Sequence, residues 1–448
     1  MVSNNVLDGP RASKGSNLST ERNLIFLYVA LILLEGPIRK WLVPSSIGSL
    51  VAISRDPIAL LLIFQAFRKN LFKPSWLCHS WIILVLLMGV GGVLAMFSND
   101  LPIQIWVFGL RTNLLHLPLI LIIPRCLNGN DLDKLLRMLL LLSLPMAILM
   151  LIQYRSPIDS WINASAQEGI KQIRGLTGVV RPPGLFTFIT GAVEYFALIN
   201  GIFLGWFLDK SRRVQLIAYG IVSTIIAYSV SGSRLMAGSI AVVWIGTLAV
   251  SFLFRPRLPS TKIIFSGLAI ATLLALTVAA TPLAATFQEG WSRTGKRFEQ
   301  ANKEDGGVGA RLQQTLHIPE DIIWRAPMFG HGLGLGTNYG SKLASGSLGF
   351  ALSESELQRI LLESGFVIGI FFMIFRNILV LYTALVARKA LSIGSHLPFS
   401  LFFVSVLNLS FGQFRLPTSM GFLVISMGFS LTAARLSHSK YAARSSLS

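Results

Sequence analysis

Residues 357–386, LQRILLESGFVIGIFFMIFRNILVLYTALV, decide the fold. A bilayer's hydrocarbon core is crossed by about 20 mostly apolar residues. This run is long enough to cross it and to begin outside, with Arg359 and Glu363 near its start and Arg376 deep inside. The sequence just before it is of the opposite kind. Residues 284–356 form a hydrophilic block containing Arg311, then Trp324-Arg325-Ala326-Pro327-Met328-Phe329-Gly330-His331-Gly332-Leu333-Gly334-Leu335-Gly336-Thr337-Asn338, and finally Ser353-Glu354-Ser355-Glu356. Chemistry outside the membrane is most economically assembled in that block.

The rest of the chain reads as membrane. Hydrophobic residues make up 53% of it and charged residues 13%, against about 25% charged in soluble proteins. Apolar runs fall at 23–38, 47–66, 79–97, 103–123, 135–152, 186–207, 214–231, 235–254, 262–281, 357–386, 397–412 and 418–435. The expectation is an all-α polytopic membrane protein of about 12 transmembrane helices. Its parts are a cytoplasmic arm (1–22), helices 1–9 (23–283) with an external loop at 153–185, one large external, periplasmic loop between helices 9 and 10 (284–356), helices 10–12 (357–435) and a cytoplasmic tail (436–448). The polar arm has no cleavable signal pattern, and the first helix can serve as an uncleaved one.

Orientation follows from the short loops. Every second connection is basic: Arg68, Lys69 and Lys73; Arg125, Lys134 and Arg137; Lys210, Arg212 and Arg213; Arg255, Arg257 and Lys262; Arg388 and Lys389; then Arg435, Lys440 and Arg444 in the tail. Both termini are therefore expected in the cytoplasm, and much of the net charge of +19 is topology, with no nucleic-acid partner needed. The external segments are basic as well. Arg155, Lys171, Arg174 and Arg181 lie in one loop, with Arg293, Lys296, Arg297, Arg311 and Arg325 in another. Such charge runs against the topological preference and invites an anionic ligand; salt bridges to Glu299, Glu304, Asp305, Glu320 and Asp321 are the alternative. Cys78 and Cys126 both fall near cytoplasmic helix ends, a placement that suggests neither an external disulfide nor a cysteine metal site.

Arginines in or beside the membrane are the costliest residues here, since insertion scales charge at least ~2.5–3.5 kcal/mol for one at a span centre. Arg111 lies two turns into the fourth span and Arg376 deep in the tenth. Arg181, in Arg181-Pro182-Pro183-Gly184-Leu185-Phe186, is delivered to the membrane surface by a rigid turn. Arg234 closes the tight hairpin Ser231-Gly232-Ser233-Arg234, and Arg359 stands at a helix mouth. Guanidinium forks bind phosphate by bidentate, charge-assisted hydrogen bonds; snorkelling to the interface, or an ion pair for Arg376, is the bland account. Ser353 and Glu356 have the spacing of a capping box, and Glu356, Arg359 and Glu363 share one helical face as an ion-pair stripe. Glu354 is not needed for that cap and is free to act as a base. His331 is either a packed histidine or a base. The glycine alternation from Gly330 to Gly336 lacks the strand–helix setting of a nucleotide fingerprint and fits tight backbone packing.

In order along the chain, Arg181-Pro182-x-Gly184-x-Phe186, Ser231-x-Ser233-Arg234, a late external loop with Arg311 and Pro327-x-x-Gly330-x-Gly332-x-Gly334, and an exit helix with Glu363-x-Gly365 resemble the bacterial O-antigen ligase and polymerase superfamily of membrane glycosyltransferases. The likeness runs from about Arg174 to Arg388. Ligases of that superfamily carry a His-Asn pair ahead of Glu-x-Gly. Here Glu354-Ser355 stands in that place, which favours a polymerase-like or divergent branch. The resemblance implies a GT-C-like helical fold in the bacterial cytoplasmic (inner) membrane, working on its outer face with no cofactor, metal or nucleotide sugar. The donor would be an oligosaccharide on a polyprenyl diphosphate, and the acceptor a glycan or lipid-linked glycan. Arg234 and Arg311, with Arg181, Arg359 and Arg111, would bind the diphosphate or glycan, and Glu354 or His331 would take the acceptor's proton. Other polysaccharide-export proteins would be partners.

Two other classes remain open. A transporter or lipid-linked glycan flippase of about twelve helices gains if Arg111 and Arg376 line a cavity reaching the cytoplasm, and a non-catalytic scaffold of an export assembly gains if single arginine changes leave the glycan unaltered.

Overall fold

The computed structural model describes residues 18–166, 180–210, 213–254, 326–346 and 355–445, with isolated positions between 285 and 318 and at 352–353. Among these residues the chain is helical throughout and has no strand. Its elements are α1 (Ser19–Pro37), α2 (Ser45–Val51), α3 (Asp56–Arg68), α4 (Ser75–Ser98), α5 (Ile103–Leu110), α6 (Leu119–Cys126), α7 (Gly129–Arg155), α8 (Ile189–Leu208), α9 (Val214–Ser231), α10 (Arg234–Phe254), α11 (Asn338–Ser345), α12 (Glu356–Ser364), α13 (Phe366–Ser392), α14 (Leu397–Phe411) and α15 (Pro417–Ser445).

Seven of these helices are long and apolar enough to cross a membrane, or up to 8 if α5 and α6, bent by 45° about His116–Pro118, count as one span. Among the other expected spans, α1 has 19 residues but carries Glu21, Arg22 and Glu35, while α3 has 13 residues and α14 has 15. The expected span at 262–281 and most of the 284–356 block lie outside the described residues.

Burial sorts the helices into centre and rim. The apolar windows of α8 and α15 are each 89% buried, that of α10 only 17%. Phe97, Ile245 and Leu253 stay exposed on the rim helices. Apolar surface of this extent is unfavourable in water and neutral in lipid, so the chain is membrane-embedded.

Contacts show which connections meet. Glu21 pairs with Lys69 at 2.5 Å and Arg22 with Asp131 at 3.3 Å. Arg213 pairs with Asp133, Asp209 with His396 at 3.0 Å, and Arg435 donates to the Leu127 carbonyl. The basic connections therefore gather at one end of the bundle. The sequence starts α7 at this end: Asn128 and Asp131 close a reciprocal capping box at 2.9 and 3.0 Å, satisfying two orphan helix donors. Helices running away from this end carry 98–103, 181–189, 231–234 and 411–417 to the opposite end.

The run that decided the fold class is not one helix. α12 stops at Ser364, Gly365 takes φ +82°, and α13 restarts at Phe366. The expected capping box is also absent. Ser355 is the N-cap and makes no side-chain cap; Ser353 Oγ donates instead to Gln358 Oε1 at 2.8 Å. Glu356 turns inward because two buried guanidinium groups offer it stronger partners than a backbone N–H.

Candidate functional site

Arg181 and Arg234 both lie at the end opposite the basic connections, near enough for the charge of one to act on the other. The Arg234 hairpin is set by its serines. Gly232 supplies the left-handed turn at φ +51°. Ser231 Oγ accepts from Ser233 N at 3.2 Å, and Ser233 Oγ accepts from Met236 N at 3.3 Å. Arg234 is thus the first residue of α10, where the helix dipole is positive.

The Arg181 segment is clamped from two sides. Lys40 Nζ donates to the carbonyls of Gly184 and Phe186 at 2.8 and 3.2 Å. Gln153 brackets Gly184 by donating from Nε2 to its carbonyl at 3.0 Å and accepting its N–H at 2.8 Å. Burial, and then the neighbouring Arg234 charge, push the Arg181 pKa below the usual arginine value. Arg181 Nε is buried with no hydrogen-bond partner among the described residues. Two guanidinium groups near a helix N-terminus have the chemistry to hold a multiply charged anion.

Arg359 is built differently. It is 1% exposed and donates to Glu356 Oε2 at 2.9 Å and Oε1 at 2.8 Å, to Glu363 Oε2 at 2.6 Å and to Asn113 Oδ1 at 2.9 Å. Glu356 Oε1 also meets Arg376 Nη1 at 3.2 Å. Arg376 donates to the carbonyls of Leu409, Asn408 and Gly412 at 2.8, 3.1 and 2.7 Å, closing the end of α14, and lies over the Phe414 ring at 3.7 Å. Arg111, in the π-helical turn Arg111–Leu115, pairs with Asp56 and donates to the Ala52 carbonyl at 3.0 Å. Asp56 in turn meets His116 Nε2 at 3.2 Å, and His116 Nδ1 meets Tyr28 Oη at 3.1 Å. Arg359 and Arg111, both expected at the donor, are thus each held by carboxylates of the chain.

His331 is half-buried, with its backbone N–H on the Leu362 carbonyl at 2.7 Å. The glycines around it form a packing seam. Gly336 N donates to Glu363 Oε1 at 2.7 Å, and a Cβ on Gly334 (φ +96°) would meet the Ile105 carbonyl oxygen at 2.2 Å. Arg311 and Glu354 lie outside the described residues.

Two residues at this end escaped the sequence reading. Lys40 sits on carbonyls beside Arg181 with only a span-end position to signal it. Glu194, a lone carboxylate in the central helix α8, accepts from Asn408 Nδ2 at 3.1 Å. The rule that an ionised residue inside a span is functional or paired marks it directly. No protein-family model and no characterised protein matches this chain.

Proposed function

We propose that this membrane-embedded protein is an inverting glycosyltransferase that polymerises or ligates glycan from a polyprenyl-diphosphate donor on the external face of the membrane, in surface polysaccharide biosynthesis. The observation that carries the reading is the placement of Arg181 within electrostatic reach of Arg234, the first residue of α10. An acceptor hydroxyl attacks the anomeric carbon, forming the new C–O bond as the bond to the diphosphate oxygen breaks with inversion. The diphosphate leaves on its lipid with the bonding electron pair. Arg181 and Arg234, with Arg311 as a third cation, stabilise that developing charge, a task worth about 10²–10³ in rate for one fixed donor. Glu354, with His331 in reserve, takes the acceptor's proton. Arg359, Glu356, Glu363 and Arg376 are the scaffold on which α12 is hung. The finer architecture, about twelve spans in a GT-C-like arrangement with both termini cytoplasmic, belongs to the same proposal.

The bent α5–α6 pair, with its π-helical turn at Arg111, favours a second reading as a lipid-linked glycan flippase, because broken spans are common in carriers. Glycan analysis of cells whose only copy is Arg234→Ala, at matched membrane levels, separates the two. Single lipid-linked units accumulating outside, with long chains lost, support the transferase. Units retained on the cytoplasmic face mean a flippase, and an unchanged glycan profile overturns the assignment of Arg234.

A further inference from the structure

The other end of the bundle holds a second cationic site, which plays no part in the proposed transfer. A notch there is lined by Lys73 from the α3–α4 connection, Arg125 at the end of α6, Tyr382 and Val386 on α13, and Leu431 and Arg435 on α15. Arg125 is buried and close enough to Arg435 for the two charges to act on one another. Arg435 donates one Nη2 hydrogen bond to the Leu127 carbonyl, while its Nε is buried with no hydrogen-bond partner among the described residues. Glu21, the carboxylate of that corner, is engaged by Lys69 at 2.5 Å, and Asp131 by Arg22 at 3.3 Å. Three cations thus face one opening whose walls are otherwise apolar and aromatic.

We propose that this notch binds the phosphate group of an anionic phospholipid. The chemistry a phosphate asks for is met by the guanidinium and ammonium donors. Free phosphate would present the same oxygens, but the form of the notch favours a lipid. Its volume is only ≈ 20 Å³, the room of about one water, so the anion sits at the mouth beside the exposed Lys73 while the glycerol and acyl chains stay in the surrounding bilayer. Basic pockets between membrane helices hold acidic head groups in this way.

The test uses the full chain in bilayer discs of phosphatidylcholine, with or without phosphatidylglycerol, read by melting temperature and by lipid retained in native mass spectrometry. Phosphatidylglycerol should raise the melting temperature and remain bound through delipidation. Lys73→Gln should weaken retention about fivefold, the effect of one charge near a membrane surface, and Arg435→Gln at least as much. Lys73 is exposed, so its variant decides the matter if the Arg435 variant fails to fold. Equal retention of phosphatidylcholine, or unchanged retention in Lys73→Gln, overturns the proposal. A melting shift reproduced by inorganic phosphate, with no phosphatidylglycerol retained, overturns the lipid assignment.

Discussion

The arginines of α12 and α13 and those of the hairpin end solve opposite problems. Arg359 and Arg376 are fully buried, but two carboxylates, an amide and a row of carbonyls enclose them. Removing such charges from water costs several kcal/mol each, offset only when the partners are this complete. Arg181 and Arg234 instead add their charges to each other at the positive end of a helix. The first arrangement is closed by carboxylates of the chain. The second brings like charges near one another, as an anion-binding site does. A membrane arginine is therefore read by what already neutralises it, and its depth alone says little.

The largest expected effect attacks the closed side. Arg359→Ala leaves Glu356 and Glu363 buried without their shared cation, which should cost about 3–5 kcal/mol. Thermal unfolding in detergent should show it as a lost or much lowered transition, with little protein reaching the membrane. A variant melting like wild type would break the comparison at once. On the hairpin side the signs separate. Arg234→Ala should lower chain formation by about 10²–10³, while the purified protein melts at or above the wild-type temperature because a repulsion is gone. Added inorganic pyrophosphate should raise the melting temperature of wild type and leave that of Arg234→Ala in place. Loss of stability together with activity would make Arg234 a second Arg359.

Residues 357–386 announced a membrane helix, and the alternation of basic connections matches the end of the bundle where Lys69, Asp131, Arg213 and His396 meet their partners. Periodicity and charge count are local properties, and they carried that far. They failed where a partner was distant. Ser353 and Glu356 have capping-box spacing, but nothing local reveals that Glu356 lies against Arg376 on the next helix and the Phe414 N–H beyond it. Gly365 stands in the Glu363-x-Gly365 motif, but that it breaks the helix depends on close packing against the Met328 carbonyl, which no local pattern reveals. The resemblance puts Arg181 and Arg234 at one site, but no local pattern shows how the Arg181 segment is held: Lys40 and Gln153, distant in sequence, fix the backbone of Gly184 and Phe186.

A smaller effect tests how the closed side is held. At Gly334 φ is +96°, and a Cβ would strike backbone that cannot turn aside. Gly334→Ala should therefore cost about 1–3 kcal/mol and loosen α12 from α5 without touching the pyrophosphate response. An unchanged unfolding curve would remove the seam from the scaffold.

The smallest effect sharpens the other side, at Lys40. Its ammonium rests on two carbonyls with Trp41 beneath it at 4.4 Å, and burial pulls its pKa from 10.5 down to about 7. Between those values the unfolded chain binds the extra proton, so stability should rise with pH through that window and fall away as pH drops through about 7. The gain between pH 7 and 8 should be no more than about 1 kcal/mol. Lys40→Met keeps much of the side-chain volume and cannot titrate. Its melting temperature should lose this pH slope, and the pyrophosphate response should weaken because the Arg181 segment has lost one of its two clamps. A Lys40→Met protein that keeps the wild-type slope would place the titration elsewhere. One that loses the slope but keeps the full pyrophosphate response would show that Gln153 alone holds Arg181 in position.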